Sequence, residues 1–395
     1  MKGGLPVIPI RDIAIQEREG DLVLATFGRG FYVLDDYTAL RTLNADLIAG
    51  EATLLPVQEA SLYFPASLDA GFQGDAFFTS PNPPVGATFT YYVGRAPQSR
   101  KQKRQEAEKA AIKKNEDITP PTWEELRAED REESPSIVLT VTDETGNVVR
   151  RLSGPASKGF QRVTWDMRLP SATPVTAIAR GDDDDLTALF GGPTGGPLVA
   201  PGSYRVQLAK RVDGVLTPLG APQTFAAAPL AEPTLGAPDR TARLAFQQRV
   251  AKLQRAVLGS AQALTEATTR LAILKQAVDQ APGADSALRN EIVAVEDKAR
   301  ALQNELTGDR VIATRSEPTA PGIQDRVGNI VQGSWSYSGA PTATNRRDYD
   351  IAAQQFSGWL GRLRQLVEAD FKRLGDRAEA AGVAWTPGRV PVWTP

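Results

Sequence analysis

The sequence predicts a multidomain α+β protein in which β-strands come first and an antiparallel helical bundle ends the chain. Two observations predict this order. Short β-favouring runs, separated by glycine turns, continue through the first 230 residues, a pattern typical of sheets. From residue 239 the apolar positions instead recur at alternating spacings of four and three, the period of a helix with one packed face. The length of 395 residues corresponds to two or three domains.

Residues 1–46 are predicted to form a first domain made of strands. Segment 11–15 alternates polar and apolar residues, and segments 21–27 and 31–34 are rich in β-favouring side chains. The Gly-Arg-Gly sequence at 28–30 predicts a tight turn between the last two strands. About three strands cannot close a core alone, so this domain is predicted to be incomplete.

Residues 52–230 are predicted to form a β-sandwich. Many short strands with few helices are typical of that architecture. The Asp-Glu-Thr-Gly sequence at 143–146 indicates a hairpin turn. The predicted strands cover 87–93, 136–142, 147–152, 159–165 and 202–208.

A strongly charged insertion, residues 100–133, interrupts this sandwich. Its first part, 100–114, holds seven basic and two acidic residues, whereas 116–133 holds eight acidic and two basic ones. Thr122 and Glu125 form a capping-box pattern for a second helix. We interpret the insertion as a solvated pair of oppositely charged helices between adjacent strands. A partner-binding arm is the alternative, and nucleic-acid binding is disfavoured because the acidic half would compete with the basic half.

Residues 236–384 are predicted to form an up-down, antiparallel bundle of three long helices. The connector 309–343 allows the third helix to return, which argues against an extended oligomeric coiled coil, the alternative arrangement. Residues 385–395 are a C-terminal tail. The three helices are predicted from Asp239 to the break at Pro282, from about Leu288 to Gly308, and from about Asn345 to Gly382.

The composition excludes several classes of chemistry. The chain contains no histidine and no cysteine, which excludes Ser-His-Asp and Cys-His catalysis, histidine or thiolate zinc sites, and disulfides. The net charge of −2 gives no electrostatic footprint for nucleic acid. No apolar stretch predicts a membrane-spanning helix, and the N-terminal sequence lacks the apolar core of a signal peptide.

One run of acidic residues is a candidate metal site. Asp182, Asp183, Asp184 and Asp185 precede a Gly/Pro-rich segment, and carboxylate oxygens are calcium ligands. The run has neither the alternating spacing nor the distal glutamate of an EF-hand loop, so a surface loop is the favoured interpretation. No other metal site and no cofactor are predicted.

Four segments carry a family resemblance. The sequence DLVLATFGRGFYVLDD at 21–36 resembles the last blade of the large sortilin-like BNR-repeat β-propeller proteins of bacteria, which are often labelled glycosyl hydrolases. Sequences within 137–168 and at 201–204 resemble the Ig-like β-sandwich of that family, and 385–393 resembles its C-terminal helical region. The BNR Asp-box is not present, so no catalytic residue is carried over by position.

The resemblance implies a partial β-propeller blade, an Ig-like β-sandwich and a helical bundle, in the C-terminal part of an extracytoplasmic protein that is periplasmic or secreted. The implied function is a non-catalytic binding or scaffolding region, which braces the propeller and presents a surface to polypeptide or glycan. The alternatives are an accessory region of a BNR-type glycoside hydrolase, with its carboxylate pair on other blades, and a cytoplasmic helical adaptor. The cluster at 35–37, Asp-Asp-Tyr, is the one that suggests catalysis, and a strand-terminating turn explains it.

Three residues are candidates for binding. Arg29, between two glycines, could reach into a propeller channel, although a solvent-exposed turn arginine is favoured. Trp335 and Tyr337 lie in a polar connector, where exposed aromatic side chains mark contact sites, although packing onto the bundle is favoured. The expected partners are the rest of the propeller or a protein or glycan ligand. Self-association through the apolar N-terminal strands is a further expectation.

Overall fold

The computed structural model describes residues 5, 7–64, 80, 82–175, 195–231 and 237–393. It is a mixed α+β structure that divides into two compact units. The first unit comprises 1–169 and 199–232, and the second comprises 170–198 and 233–395. The strands lie in the first unit, and the long helices lie in the second.

Three antiparallel strands form the N-terminal sheet: β1 (Ile10–Gln16), β2 (Asp21–Thr26) and β3 (Phe31–Leu34). The predicted strands and the turn between the last two are confirmed. Gly28 and Gly30 in this turn have φ angles of 77° and 73°, a left-handed conformation that glycine adopts without steric penalty.

The other strands form two sheets. The larger sheet has the order β5-β12-β10-β7-β8, with β11 paired to β10, and the smaller has the order β4-β6-β9. The β5–β12 pairing is parallel and the others are antiparallel. The strands are β4 (Ala52–Leu54), β5 (Ala60–Leu62), β6 (Ala87–Val93), β7 (Ser136–Thr142), β8 (Val148–Gly154), β9 (Gly159–Trp165), β10 (Gly202–Val212), β11 (Val215–Pro218) and β12 (Gln223–Pro229).

Buried aromatic side chains connect these two sheets. Phe89 of β6 contacts Phe225 of β12, with ring centroids 5.5 Å apart. Trp165 of β9 contacts Tyr204 of β10 at 5.7 Å. Both pairs are edge-to-face, a geometry that adds to the stabilisation from apolar burial. The two sheets therefore share one apolar core.

The charged insertion forms two helices, α2 (Arg100–Lys114) and α3 (Trp123–Arg131), after a short α1 (Ala45–Ala49) earlier in the chain. The predicted capping box is confirmed, since the Thr122 N–H donates to the Glu125 carboxylate at 2.8 Å. The expectation that the insertion joins adjacent strands is wrong. β6 lies in the smaller sheet and β7 in the larger one, because the chain changes sheets at the insertion.

The second unit contains helices that share an apolar core. In the connector, the sequence predicts a short amphipathic piece with Ile323, Val327, Ile330 and Val331 on one face. The structure confirms this piece as a helix, α7, whose apolar face is buried in this core. The helices are α4 (Ala237–Gln280), α5 (Ser286–Thr307), α6 (Arg310–Ala313), α7 (Ile323–Trp335), α8 (Ala343–Arg364) and α9 (Phe371–Ala380), and the π-helical segment Gln365–Asp370 joins α8 to α9. None of the helices in the described ranges is long and apolar enough to cross a membrane.

Ion pairs fix α5 against α8 and α9. The pairs are Glu305 with Arg362 at 2.7 Å, Lys298 with Asp370 at 2.8 Å, and Glu291 with Arg377. Residue numbers fall along α5 as they rise along the other chain segment, so the two run antiparallel. On α5, the residues of successive pairs are seven positions apart. On the other segment, Arg362 and Asp370 are eight positions apart, and Asp370 and Arg377 are seven apart. The π-helical segment, whose turns contain an extra residue, lies inside the step of eight.

Candidate interaction surface

Both faces of the N-terminal sheet present apolar side chains. Directly opposed residues of antiparallel strands share a face. The register therefore places Ile13 with Leu24 on one face, and Phe31 with Ala25 on the other. Leu24 is buried, but Ile13 is 58% exposed and Phe31 is 75% exposed. Neither face is covered across its full width.

Both edges of this sheet are also open. In the described part of the chain, β1 and β3 pair only with β2. The outer N–H and C=O groups of such strands can pair with an additional strand. Large apolar side chains line both edges: Ile10, Ile13 and Ile15 on β1, and Phe31 and Val33 on β3. Exposed apolar area next to an unpaired edge marks an interaction surface.

Arg29 lies at the tip of the turn between β2 and β3, and its side chain is exposed. The Thr26 N–H and hydroxyl both donate to the Gly30 carbonyl, at 3.1 and 2.8 Å, and close the turn. The structure thus places Arg29 as an exposed turn arginine. Nearby, the guanidinium of Arg11 lies 4.8 Å from the centroid of the Phe27 ring, within range of a cation–π interaction.

Asp36 anchors the end of β3. Its carboxylate accepts hydrogen bonds from the Thr38 N–H, the Thr38 hydroxyl and the side-chain amide of Gln58, the last at 2.8 Å. Its own N–H donates to the carboxylate of Asp21 at 3.0 Å. Asp36 has a φ of 43°, a left-handed conformation that non-glycine residues rarely adopt, and these bonds hold it there.

Arg162 of β9 ties this turn to the smaller sheet. Its guanidinium donates to the backbone carbonyls of Asp35 and Asp36, at 2.8 and 2.7 Å. Gly20 is packed so closely that an added Cβ would lie 2.6 Å from the Thr38 methyl carbon. One end of the N-terminal sheet is therefore fixed to the rest of the first unit, while its edges remain open.

This geometry also explains the Asp-Asp-Tyr sequence that suggests catalysis. Burial raises the pKa of Asp35, the nearby Asp21 raises it further, and Arg162 opposes both. One oxygen of the Asp36 carboxylate, Oδ1, accepts three hydrogen bonds, two from Thr38 in the turn and one from Gln58 outside it. The Tyr37 hydroxyl accepts from Arg41, whose guanidinium also lies over the Tyr37 ring. These contacts agree with the interpretation of a strand-terminating turn.

The two aromatic candidates in the connector differ in exposure. Trp335 is 1% exposed and belongs to the helical core, so it is not an exposed contact. The burial follows from α7, which carries Trp335 on the same face as its other apolar residues. Tyr337 is exposed and its ring lies against Gly339. Arg243 donates to the Ser338 carbonyl at 2.7 Å and holds the connector against α4.

A second exposed apolar cluster lies on the C-terminal tail. Its members are Trp385, Val390, Val392 and Trp393. Arg389 holds the tail on α9 through the carboxylate of Glu379 at 2.5 Å. The tail and α9, with Arg270 of α4, line a depression of about 350 Å³.

The aspartate run Asp182–Asp185 lies outside the described residues. Within the described ranges, no three acidic side chains are grouped closely enough to hold a metal ion. The sequence interpretation also misses Arg162 and Gln58, which anchor the sheet. Each is a single polar residue far from the N-terminal strands in sequence, and neither belongs to a motif. Ile13 did have a signal in the sequence, since it is an apolar residue of the predicted strand 11–15.

Comparisons with known protein families, with curated proteins and with solved structures find no match to this chain.

Proposed function

We propose that this chain is a non-catalytic binding and scaffolding region from the C-terminal part of a sortilin-like BNR-repeat β-propeller protein. In this proposal the N-terminal sheet is the terminal blade of the propeller. The two facing sheets are an Ig-like β-sandwich, and α4–α9 are an antiparallel helical bundle. The region braces the propeller and presents a surface to polypeptide or glycan, in the periplasm or outside the cell.

The observation that carries this proposal is the open N-terminal sheet. A propeller blade packs both of its faces against neighbouring blades. A sheet with Ile13 exposed on one face and Phe31 on the other has the surface that such packing requires. The bonds from Arg162 to the end of β3 supply the bracing, because they would tie the last blade to the domain that follows it.

Other contacts support the proposed β-sandwich, the proposed helical bundle and the non-catalytic role. The aromatic pairs between the two sheets, Phe89 with Phe225 and Trp165 with Tyr204, are what a sandwich core requires. The ion pairs between α5 and α8–α9 run in antiparallel register, as in an up-down bundle. A non-catalytic role is favoured over a hydrolase because Oδ1 of the Asp36 carboxylate already accepts three hydrogen bonds, from Thr38 and Gln58.

Hydrogen exchange on a verified monomer tests the blade. We expect the amides of 22–26 to exchange much faster than those of 138–141. Most side chains of β2 are only half-buried and its sheet has open edges, whereas β7 lies in a two-sheet core. Addition of the propeller segment encoded in frame upstream should slow exchange at 22–26. Equal protection of both segments in the free monomer would contradict the proposal.

A pair of variants tests the same surface by binding. Phe31→Ser with Val33→Ser should abolish binding of that propeller segment without lowering the melting temperature, because both side chains are exposed. Val215→Ser, which changes an exposed valine on β11, is the matched control and should bind normally. Normal binding by the Phe31/Val33 variant would show that this sheet is not the contact surface.

A further inference from the structure

The charged insertion is an almost fully solvated pair of helices. Neither α2 nor α3 has a buried residue. An isolated helix of 15 residues is marginally stable in water, so a solvated pair of this kind needs other support. The first half of the insertion holds seven basic and two acidic residues, and the second half holds eight acidic and two basic ones. The two helices therefore carry opposite charge.

Only part of this charge is used inside the pair. Arg104 of α2 donates to the carboxylate of Glu129 on α3 at 2.6 Å, and to Glu108 at 2.7 Å. At the base, the Arg100 N–H donates to Glu132. Other charged side chains are exposed and form no ion pair with any described residue: Lys103, Lys109 and Lys113 on α2, and Glu124, Asp130 and Glu133 on or beside α3.

The tip of the pair is apolar. Ile112 lies in the last turn of α2, Ile118 in the connection, and Trp123 at the start of α3, so all three are at the same end. Trp123 is 77% exposed and Ile112 60%. Large exposed apolar side chains beside unpaired charges are typical of a contact surface rather than of a solvated loop.

We propose that the α2–α3 pair is a self-complementary docking surface whose partner is the α2–α3 pair of a second copy of this chain. A two-fold axis parallel to the helices would set α2 of each copy beside α3 of the other. Each basic helix would then have an acidic neighbour on both sides, one from its own chain and one from its partner. The same axis brings the two tips together, so that Ile112, Ile118 and Trp123 of both copies bury one another. This inference does not depend on the proposed function.

Sedimentation of the full chain at low and high salt is the first measurement. Contacts between exposed charges are screened at high ionic strength. We expect a dimer in about 50 mM salt whose dissociation constant rises at least tenfold in about 500 mM salt. Association through the apolar N-terminal strands would instead persist at high salt, so the two surfaces are distinguishable. A monomer at all protein concentrations in low salt would overturn the proposal, even if that monomer bound a polyanion such as heparin.

Two charge-reversal variants give the decisive test. One carries Lys103→Glu, Lys109→Glu and Lys113→Glu, and the other carries Glu124→Lys, Asp130→Lys and Glu133→Lys. Each should be monomeric alone, because its two helices then carry charge of one sign. An equal mixture of the two should restore a dimer, because every α2 again faces an α3 of opposite charge. Restoration also shows that both variants are folded at the surface concerned.

The matched control reverses three exposed cations elsewhere, with Lys252→Glu, Arg255→Glu and Arg310→Glu on α4 and α6. This variant has the same net charge as the α2 variant. It should dimerise alone like the unmodified chain, and should not dimerise with the Glu124/Asp130/Glu133 variant. Dimerisation of the α2 variant alone, or no dimer in the mixture, would overturn the proposal.

Discussion

Deleting Glu368 from the π-helical segment should leave the core of the helical unit intact. Glu368 is exposed, so its loss removes no core contact. Deletion also changes the step from Arg362 to Asp370 from eight residues to seven. That step then equals the one from Lys298 to Glu305 on α5, so both ion pairs are kept in a regular α-helix. We expect the free energy of unfolding to change by less than about 1 kcal/mol, as for surface changes that leave packing intact.

Deleting Ala301 from α5 is the matched control, since Ala301 is also an exposed helical residue. One residue in an α-helix corresponds to a rotation of about 100° and a rise of about 1.5 Å. The deletion would therefore turn Leu302 and Leu306, both buried, away from the core. Loss of one buried leucine costs about 2–5 kcal/mol, so both together cost about 4–10 kcal/mol. This loss is comparable to the whole stability of a typical domain.

The assay is urea unfolding followed by far-UV circular dichroism, whose signal comes mainly from the long helices. The Glu368 deletion should unfold close to the unmodified chain, and the Ala301 deletion should be unfolded or strongly shifted to lower urea. Equal destabilisation by both deletions would show that the π-helical segment does not take up an extra residue. The single change Leu302→Ala should lie between them, at about 2–5 kcal/mol.

Three further outcomes are expected. Burial raises the pKa of Tyr91 and Tyr204 to about 12. The stability of the fold should therefore fall above about pH 10, where the phenols of the unfolded chain ionise but the buried ones do not. The variant Tyr91→Phe should lose less stability over this alkaline range. The hydrogen bond from Arg389 lowers the pKa of Glu379. The C-terminal tail should therefore detach only at a pH below the usual pKa range of carboxyl groups, which tryptophan fluorescence can follow. The variant Glu379→Gln should abolish this pH dependence. Replacing 95–135 by a flexible linker should leave the unfolding of the two facing sheets cooperative, because the inserted helices have no buried residue.

The apolar spacing predicted α4 well because that helix is continuous. The four-three spacing predicts ten inward-facing positions, of which nine are buried and Ser260 is half-buried. These positions are 246, 250, 253, 257, 260, 264, 267, 271, 274 and 278. In the third predicted helix the same spacing names Leu360 and Val367 but misses Trp359 and Leu366, which are buried. The π-helical segment is the reason, since it shifts the phase of the buried face within one helix.

That phase shift is visible in the sequence once the structure is known. The buried positions 352, 356, 359, 363 and 366 follow the four-three rule. The next buried apolar residue is Phe371, five positions later, after which the spacing of the apolar residues returns to three and four. A spacing of five residues is the hydrogen-bond spacing of a π-helical turn. The sequence analysis applies one uninterrupted four-three spacing to the whole third predicted helix. That spacing combines the two phases, so it assigns the half-buried Leu360 and Val367 to the buried face.

Eight of the twelve strands in the described residues were predicted from the sequence, whereas β4, β5, β11 and β12 were missed. The placement of β6 and β7 in different sheets was not predicted either. The apolar residues of β6 and β7 predict two buried strands and do not specify their neighbours. In the structure β6 pairs with β4 and β9, whereas β7 pairs with β8 and β10, so the two strands lie in different sheets. Because β6 and β7 are neighbours in sequence, the sequence analysis expects them to be adjacent strands, but the structure places them in different sheets.

The contacts that anchor the N-terminal sheet could not be predicted from the sequence either, and these contacts matter for function. Arg162 bonds the carbonyls of Asp35 and Asp36 across more than a hundred residues, and Gln58 completes the turn. Long-range polar contacts of this kind leave no periodic pattern in a sequence. Their effect is to order one end of β3 before any partner binds. A partner that pairs with β1 or β3 would therefore meet a surface that is already folded, and the entropy lost on binding would be smaller than for a disordered segment.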